Sequence, residues 1–326
     1  MRNEKSDEAG FGGGNLRPMR AGRRLIAGSV GGCVAALAIG TATHAARADV
    51  IDPATVAAWL DMATATQAAQ PRWMTPLVTV TPRLEQELRW DFYDQHNGTG
   101  SQGNGYQVFN YGGPGGTRVE FIPSYNTEII VAAPPVLTTY GPPGKANGQG
   151  MGDWPMFLAK YRFISANAEN GDYIVTGFFQ MSDPSGVPDS ISNNVLVAQP
   201  TIAVGKGWGD FDIQMTLSQQ YPVASIGPKP KSGTTVGNFG DPILWNTTFQ
   251  YHFLQYFWPE FEVNYEYWPN GIHSGLSQVL FTPGIIFGRF ALAPRQNLIF
   301  GVGYQFAVTN NPVLSNNIVA SVRVTF

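Results

Sequence analysis

The chain has 326 residues, of which 13% are charged and 13% aromatic, with 38 glycines, 24 prolines and a formal net charge of −3. No basic run lies beyond the amino-terminal segment, which argues against a nucleic-acid partner. The single cysteine, Cys33, leaves no disulfide pair and no thiolate metal site. A mean hydropathy of −0.10 fits either a soluble all-β domain or a membrane β-barrel, whose strands alternate apolar and polar residues.

The amino terminus is predicted to be a cleaved signal peptide, residues 1–48. Four arginines between positions 17 and 24 precede a short apolar stretch at 25–40, and Ala46-Arg47-Ala48 is a small-x-small cleavage site. The apolar stretch is too short and too rich in glycine for a membrane anchor. A lipoprotein site at Cys33 would leave most of this stretch after the cleavage point. Since residues 1–48 are rich in bases, their removal makes the chain more acidic.

Residues 52–69 are predicted to form a helix, with Asp52 as N-cap and Pro53 at the first helical position. We expect residues 49–76 to be a separate amino-terminal segment and residues 77–326 to be the barrel. The helix could dock on the periplasmic end of the barrel, or it could plug the lumen.

Twelve segments of alternating apolar and polar residues follow, bounded by Gly, Pro, Asn and Asp. The predicted strands are 82–93, 117–123, 126–133, 153–165, 171–183, 195–204, 209–221, 241–252, 260–268, 277–288, 297–308 and 317–326. The last strand ends on the aromatic Phe326, which resembles the assembly signal of outer-membrane barrels. A strand of this kind could equally lie at the edge of a soluble sandwich.

The connections between the predicted strands alternate between long and short almost throughout. Residues 94–116, 134–152 and 222–240 are long connections, whereas residues 124–125 and 205–208 are short. Outer-membrane barrels have this asymmetry, with long loops outside and short turns at the periplasm. The sequence therefore predicts an all-β fold: a transmembrane antiparallel up-and-down β-barrel of about 12 strands with a short amino-terminal helix.

In a bilayer the apolar face of each strand must meet lipid, so the charged face is predicted to line the lumen. The candidate lumen-lining residues are Arg83, Glu85, Glu87, Arg89, Asp91, Arg118, Glu120, Lys160, Arg162, Asp210, Asp212, Glu260, Glu262, Glu266 and Arg323. Cross-strand charge pairing would stiffen the wall. Alternatively, the excess of acids would form a selectivity surface that favours cations or neutral solutes.

The sequence offers no recognisable catalytic or metal-binding motif. Of its four histidines, His96 and His273 lie in predicted loops, and His252 would face inward at a strand end. A pair of His252 with a nearby hydroxyl could serve a barrel hydrolase, but such pairs arise often by chance. We therefore expect no enzyme, no cofactor and no metal.

Several segments carry a family resemblance: the glycine-rich first loop, Gly-Asp-Trp at 152–154, Ala-Asn-Ala-Glu-Asn-Gly at 166–171 and Gly-Trp-Gly-Asp-Phe at 207–211. With the signal peptide and the strand number, the chain resembles outer-membrane transporters labelled after the phenol meta-cleavage degradation pathway. The resemblance covers most of the mature chain. It implies passage of small, often hydrophobic molecules, and it carries over no individual site residue.

The sequence thus predicts an exported bacterial outer-membrane channel or transporter for passive passage or uptake of small molecules, hydrophobic or aromatic ones among them. Its expected partners are outer-membrane lipids, the barrel-assembly machinery and a small-molecule solute, and the expected state is a monomer. Two other classes stay open: a barrel enzyme acting on lipid, and a non-conducting structural or surface barrel.

Overall fold

The structure, a computed structural model, describes residues 53–101, 103–188, 192, 194–225 and 235–326. The predicted signal peptide (1–48), with Cys33, and the predicted N-cap Asp52 lie outside the described residues.

The described chain consists of two helices, one 3-10 turn and sixteen strands. In order they are α1 (Pro53–Ala68), β1 (Glu87–Asn97), β2 (Gln107–Tyr111), β3 (Thr117–Ser124), β4 (Thr127–Ala133), β5 (Val136–Tyr140), β6 (Gly148–Met151), β7 (Trp154–Ala166), the 3-10 turn Ala168–Asn170, β8 (Tyr173–Asp183), β9 (Val195–Trp208), β10 (Phe211–Gln219), β11 (Tyr221–Ser225), α2 (Val236–Phe239), β12 (Ile243–Tyr251), β13 (Phe257–Tyr267), β14 (Ser277–Ala293), β15 (Gln296–Ala307) and β16 (Leu314–Thr325).

Twelve of these strands close into an antiparallel barrel. Around the wall the order is β1, β3, β4, β7, β8, β9, β10, β12, β13, β14, β15 and β16. The last strand pairs with the first from Glu87 opposite Thr325 to His96 opposite Asn316, and this closes the sheet. Closure leaves neither strand at a free edge, as a bilayer requires of a spanning sheet.

Each of the twelve predicted strands overlaps one wall strand, so the predicted barrel is confirmed. The first strand begins at Glu87 rather than at residue 82. The long connections were predicted as loops, but the structure contains β2, β5, β6 and β11 within them. These short strands extend the sheet beyond the wall, because β2 pairs with the far half of β1, β5 with β2, β6 with β5 and β11 with β9. They are only four or five residues long, too short to show a clear period in the sequence.

The two faces of the wall have the polarity of a membrane barrel. In β15, Val302 and Tyr304 point outward and are 46% and 47% exposed, whereas Gln305 points inward and is 3% exposed. In β13 the buried residues are Trp258, Glu260, Glu262 and Asn264, three of them polar. An apolar exterior around a buried polar interior is the reverse of a soluble domain, and it suits contact with lipid.

Helix α1 packs across the end of the barrel that carries the short turns. The indole N–H of Trp59 donates to the backbone oxygen of Ile122 at 2.7 Å, beside the β3–β4 turn. From the β14–β15 turn, the Arg295 guanidinium donates to the backbone oxygen of Leu60 at 2.9 Å. These two bonds place α1 against the β3–β4 and β14–β15 turns. No helix in the described part of the chain is long and apolar enough to cross a membrane.

Candidate functional site

Residues 69–86, here called the inserted segment, run from α1 into the barrel interior and then join β1. Trp73, Met74 and Leu77 are 4%, 1% and 0% exposed, although the segment contributes no strand to the wall. The sequence prediction placed residues 82–86 on the first strand, and that part was wrong. The reason is local: Leu84 alternates with Arg83 and Glu85 as in a strand. The backbone N–H of Leu84 donates to the side-chain oxygen of Gln70 at 3.0 Å, whereas in a strand it would donate to a neighbouring strand.

Leu77 sits on a patch of glycines in the barrel wall. A Cβ atom built on Gly284, Gly301 or Gly303 would lie 2.6, 2.5 or 2.8 Å from a methyl carbon of Leu77. Since real Cβ atoms do not approach so closely, any larger residue at these positions would displace Leu77. Inward-facing glycines of β14 and β15 therefore form the seat for this side chain.

Trp73 is held in a second seat on another part of the wall. Its ring lies against Gly205 and Gly207 of β9, where an added Cβ would collide with the indole. The indole N–H donates to Asp172 Oδ2 at 3.0 Å. The small wall residues leave space for the ring, and the carboxylate satisfies its polar atom.

Two acids of β13 bind the backbone of the inserted segment. Glu260 Oε1 accepts from the N–H of Leu77 at 3.1 Å. Glu262 accepts from the N–H of Val78 at 2.8 Å and from the N–H of Thr79 at 2.7 Å, using one oxygen for each. These three amides have no partner strand, so the two carboxylates supply the acceptors that a ladder would otherwise provide.

Two arginines bind the carbonyl groups of the same stretch. Arg89 of β1 donates to the backbone oxygen of Leu77 at 2.8 Å. Arg323 of β16 donates to the backbone oxygen of Pro76 at 2.8 Å and also to that of Thr75. Carboxylates thus accept hydrogen bonds from the N–H groups of this stretch, and guanidinium groups donate hydrogen bonds to its carbonyl oxygens. Charge-assisted bonds of this kind are stronger than neutral ones.

A third ionic group fixes the part of the segment that leads into β1. Arg83 and Glu85 form a 3.0 Å ion pair within the segment. The N–H of Glu85 donates to Glu128 Oε2 at 2.6 Å. Lys160 bridges wall and segment, because its ammonium lies 2.9 Å from Glu128 Oε1 and donates to the Arg83 backbone oxygen at 3.2 Å.

The predicted lumen-lining residues divide into three groups. Arg83 and Glu85 lie inside the barrel, but on the inserted segment rather than on the wall. Asp210 lies in the β9–β10 turn and is exposed, because the tight turn directs it out of the interior. The others lie on the interior face of the wall: Glu87, Arg89, Asp91, Arg118, Glu120, Lys160, Arg162, Asp212, Glu260, Glu262, Glu266 and Arg323.

Charged groups near the cavity are largely paired with one another. Asp91 lies 2.8 Å from Arg89 and 3.5 Å from Arg118, and Arg118 also contacts Glu120 at 2.8 Å. Of these three pairs, only Asp91 with Arg118 joins two strands, whereas the other two lie within β1 and within β3. Arg162 has a different position, at the short-turn end, where it donates to the backbone oxygen of Thr66 in the last turn of α1 at 2.9 Å.

A cavity of about 710 Å³ occupies the interior on the long-loop side of the inserted segment, and we call it the lumen cavity. Its floor is formed by Thr75 and residues 78–81. Its wall combines apolar side chains with many carboxamides. None of these carboxamides is among the predicted lumen-lining residues, which are all charged. A volume of this size suits a drug-sized molecule, which is typical of ligand sites of about 300–1,000 Å³.

Four carboxamides and one hydroxyl form a hydrogen-bonded belt that runs over β16, β15, β13, β12 and β10 and crosses β14. Asn317 donates to Gln305 at 3.4 Å, Gln305 to Asn264 at 2.9 Å, Asn264 to Asn246 at 3.0 Å and Asn246 to Thr216 at 3.2 Å. We call these five residues the amide belt. Thr216, Asn264 and Asn317 share the inward phase of the charged residues on their own strands, and this phase is a signal that the sequence contains. β12 and β15 contain no charged residue, so Asn246 and Gln305 follow only from the alternation of polar and apolar positions.

The surroundings of His252 differ from those of a hydrolase base. Its ring stacks on Trp258 with 4.1 Å between centroids, and its Nδ1 lies 3.8 Å from Asp210. A barrel hydrolase needs a nucleophile in contact with its base, whereas these two neighbours are an aromatic ring and an exposed carboxylate. Within the described residues, no group of three or more His, Cys, Asp or Glu side chains is arranged to hold a metal ion.

Outer-membrane proteins are among the solved structures that align with this chain. An outer-membrane channel from Pseudomonas putida F1 aligns with a TM-score of 0.50 and 10% identity, over 74% of this chain and 96% of that chain. The OmpF protein of Salmonella typhi, in complex with daunomycin, aligns with a TM-score of 0.34 and 9% identity, over 74% of this chain and 96% of that chain. No protein-family model and no curated protein matches the sequence. At these identities the likeness to the Pseudomonas channel shows the fold, that of a transmembrane β-barrel.

Proposed function

We propose that the chain is a bacterial outer-membrane channel for passive passage or uptake of small molecules, held closed in this structure by its inserted segment. The observation that carries the proposal is the lumen cavity, which lies inside a closed barrel and ends on residues 75 and 78–81. A purely structural barrel has no need for an interior cavity, and a permanently sealed one has no need for a floor made of a separate chain segment.

The asymmetry of the connections supports the orientation. Long connections and the added strands β2, β5, β6 and β11 lie at one end, and short turns with α1 lie at the other. Since outer-membrane barrels keep short turns in the periplasm, the cavity would face the outside and α1 the periplasm. We further propose that the barrel acts as a monomer, with lipid on all sides, and that it has no catalytic role.

The manner in which the segment is held supports a movable closure. Its bonds to the wall come from side chains of several wall strands, β1, β4, β7, β10, β13 and β16 among them, not from a continuous strand ladder. Side-chain bonds can be released one group at a time without unpairing the barrel wall. Displacement of the segment would therefore join the lumen cavity to the periplasmic end while the sheet stays closed.

The test is the conductance of the full-length protein in planar bilayers, compared with a variant that lacks residues 53–81. We expect rare or small openings from the full-length protein and large, steady openings from the variant. Asp61→Asn is a suitable control, because Asp61 is an exposed residue of α1. Equal conductance of both proteins would refute the closure by the segment. A folded deletion variant that neither conducts nor admits solutes into liposomes would refute the channel.

A further inference from the structure

The lumen cavity has two chemically different sides. On one side, Asn246, Asn264 and Gln305 of the amide belt line it. On another side, Ile130 and Leu158 line it, together with Val80 of the inserted segment. A solute that fills the cavity therefore meets hydrogen-bonding groups on one edge and hydrocarbon on the other.

The carboxamides impose a requirement on the solute. Each amide carries both a donor and an acceptor and bears no net charge. Asn110, a buried residue that also lines the cavity, has an amide oxygen without a hydrogen-bond partner among the described residues. Within the belt, Asn246, Asn264 and Gln305 each donate one amide N–H and retain a second one. A hydrocarbon placed against that N–H, or against the Asn110 oxygen, would leave it desolvated and unpaired, which costs free energy, whereas a hydroxyl, carbonyl or amide group would pair with it.

Most ionic side chains of the cavity already have a partner of opposite charge, and Glu266 has a neutral one. Asp91 is bonded to two arginines, and Lys160 is paired with Glu128. Glu266 accepts a hydrogen bond from Gln278 at 3.1 Å. A charged solute would have to lose its hydration in exchange for groups that already have partners, and this exchange is unfavourable.

We propose that the lumen cavity is a binding site for an uncharged amphipathic molecule, with hydroxyl, carbonyl or amide groups along one edge and a compact hydrocarbon body. The amide belt binds the polar edge, and Ile130 and Leu158 contact the body. This inference rests on the proposed channel function and adds to it the class of solute that enters the lumen. The location of the cavity inside a membrane barrel does not depend on that proposed function, because it follows from the fold.

The first test uses the unaltered protein and three probes with one hydrocarbon body: adamantane-1-carboxamide, adamantane-1-carboxylate and 1-adamantylammonium. Binding to the detergent-solubilised barrel is measured by titration calorimetry, with empty micelles as the reference. We expect the carboxamide to bind at least about tenfold more tightly than either ion, a difference of about 1.4 kcal/mol. Equal or tighter binding of an ion, or no binding of the carboxamide, would overturn the proposal.

The second test locates the site with Asn264→Leu, which removes a central amide of the belt at similar size. We expect this variant to bind the carboxamide about five- to tenfold more weakly, as for the loss of a neutral hydrogen bond with an amide neighbour left unpaired. Gln296→Leu is the matched control, because Gln296 lies exposed at the short-turn end of β15. Unchanged binding in a folded Asn264→Leu barrel would contradict the proposed site. If the deletion variant conducts and the carboxamide does not bind, only this inference fails and the channel stands.

Discussion

Leu77 offers the sharpest test of how the barrel is closed. It is 0% exposed, and its methyl groups lie on three glycines of the wall. Truncation of a fully buried leucine to alanine costs about 2–5 kcal/mol. If Leu77 leaves its seat when the segment is displaced, this cost falls on the closed state alone. A loss of about 3 kcal/mol would then raise the ratio of displaced to seated segment about 100-fold.

The assay is the open fraction of single channels in planar bilayers for Leu77→Ala. Leu88→Ala is the matched control, since it is the same change in β1 at an outward-facing side chain that is 45% exposed. We expect frequent openings for Leu77→Ala and the unaltered open fraction for Leu88→Ala. A folded Leu77→Ala barrel with the open fraction of the unaltered protein would refute the reasoning, because the seat would then contribute nothing to closure.

Three more changes probe the contacts of the inserted segment. Gly301→Val should raise the open fraction as Leu77→Ala does, because a Cβ there would lie 2.5 Å from a Leu77 methyl; the double variant Leu77→Ala/Gly301→Val should close again, and failure to do so would argue against a steric seat. Glu262→Gln leaves one acceptor oxygen for two backbone N–H groups, so one of them loses its partner in the closed state. An unpaired buried amide costs about 1–3 kcal/mol, and we therefore expect the open fraction to rise about tenfold. An unchanged open fraction would mean that this carboxylate does not hold the segment. Trp73→Phe removes the bond to Asp172, and amide hydrogen exchange measured by mass spectrometry should become faster in residues 69–81; unchanged exchange there would show that the indole does not anchor it.

The wall of the barrel could be predicted from sequence because lipid imposes a strict rule on it. Every spanning strand must place apolar residues outward, and a polar interior makes the alternation visible along β13 and β15. The closing strand was predicted as 317–326 and runs from Leu314 to Thr325. The sorting of long and short connections added the topology, because each short turn had to be a hairpin between neighbours.

The inserted segment could not be predicted in the same way, because nothing local distinguishes it from a strand. Arg83, Leu84 and Glu85 alternate as a wall strand would, yet all three are buried in the interior. The segment also depends on distant glycines in β9, β14 and β15, which make room for Trp73 and Leu77. In a strand pattern a glycine only weakens the strand prediction, so these contacts leave no signal in the sequence. Asp210 was predicted to line the lumen because of its charge, but it lies in a tight turn that directs its side chain out of the interior.

The role of the interior charges changes once the segment is in place. Glu260, Glu262, Arg89 and Arg323 were predicted as wall groups that pair with each other or select ions. Instead they bind the backbone of a chain segment that has no strand partner. Because backbone N–H and carbonyl groups are common to all residues, these contacts hold the path of the segment rather than its side chains. The position of the segment along this path is then fixed by Leu77 and Trp73, which pack against the wall glycines. In an open state the same four side chains would lose these partners and become available to water and ions, so the ionic preference of the channel would be set only after the segment is displaced.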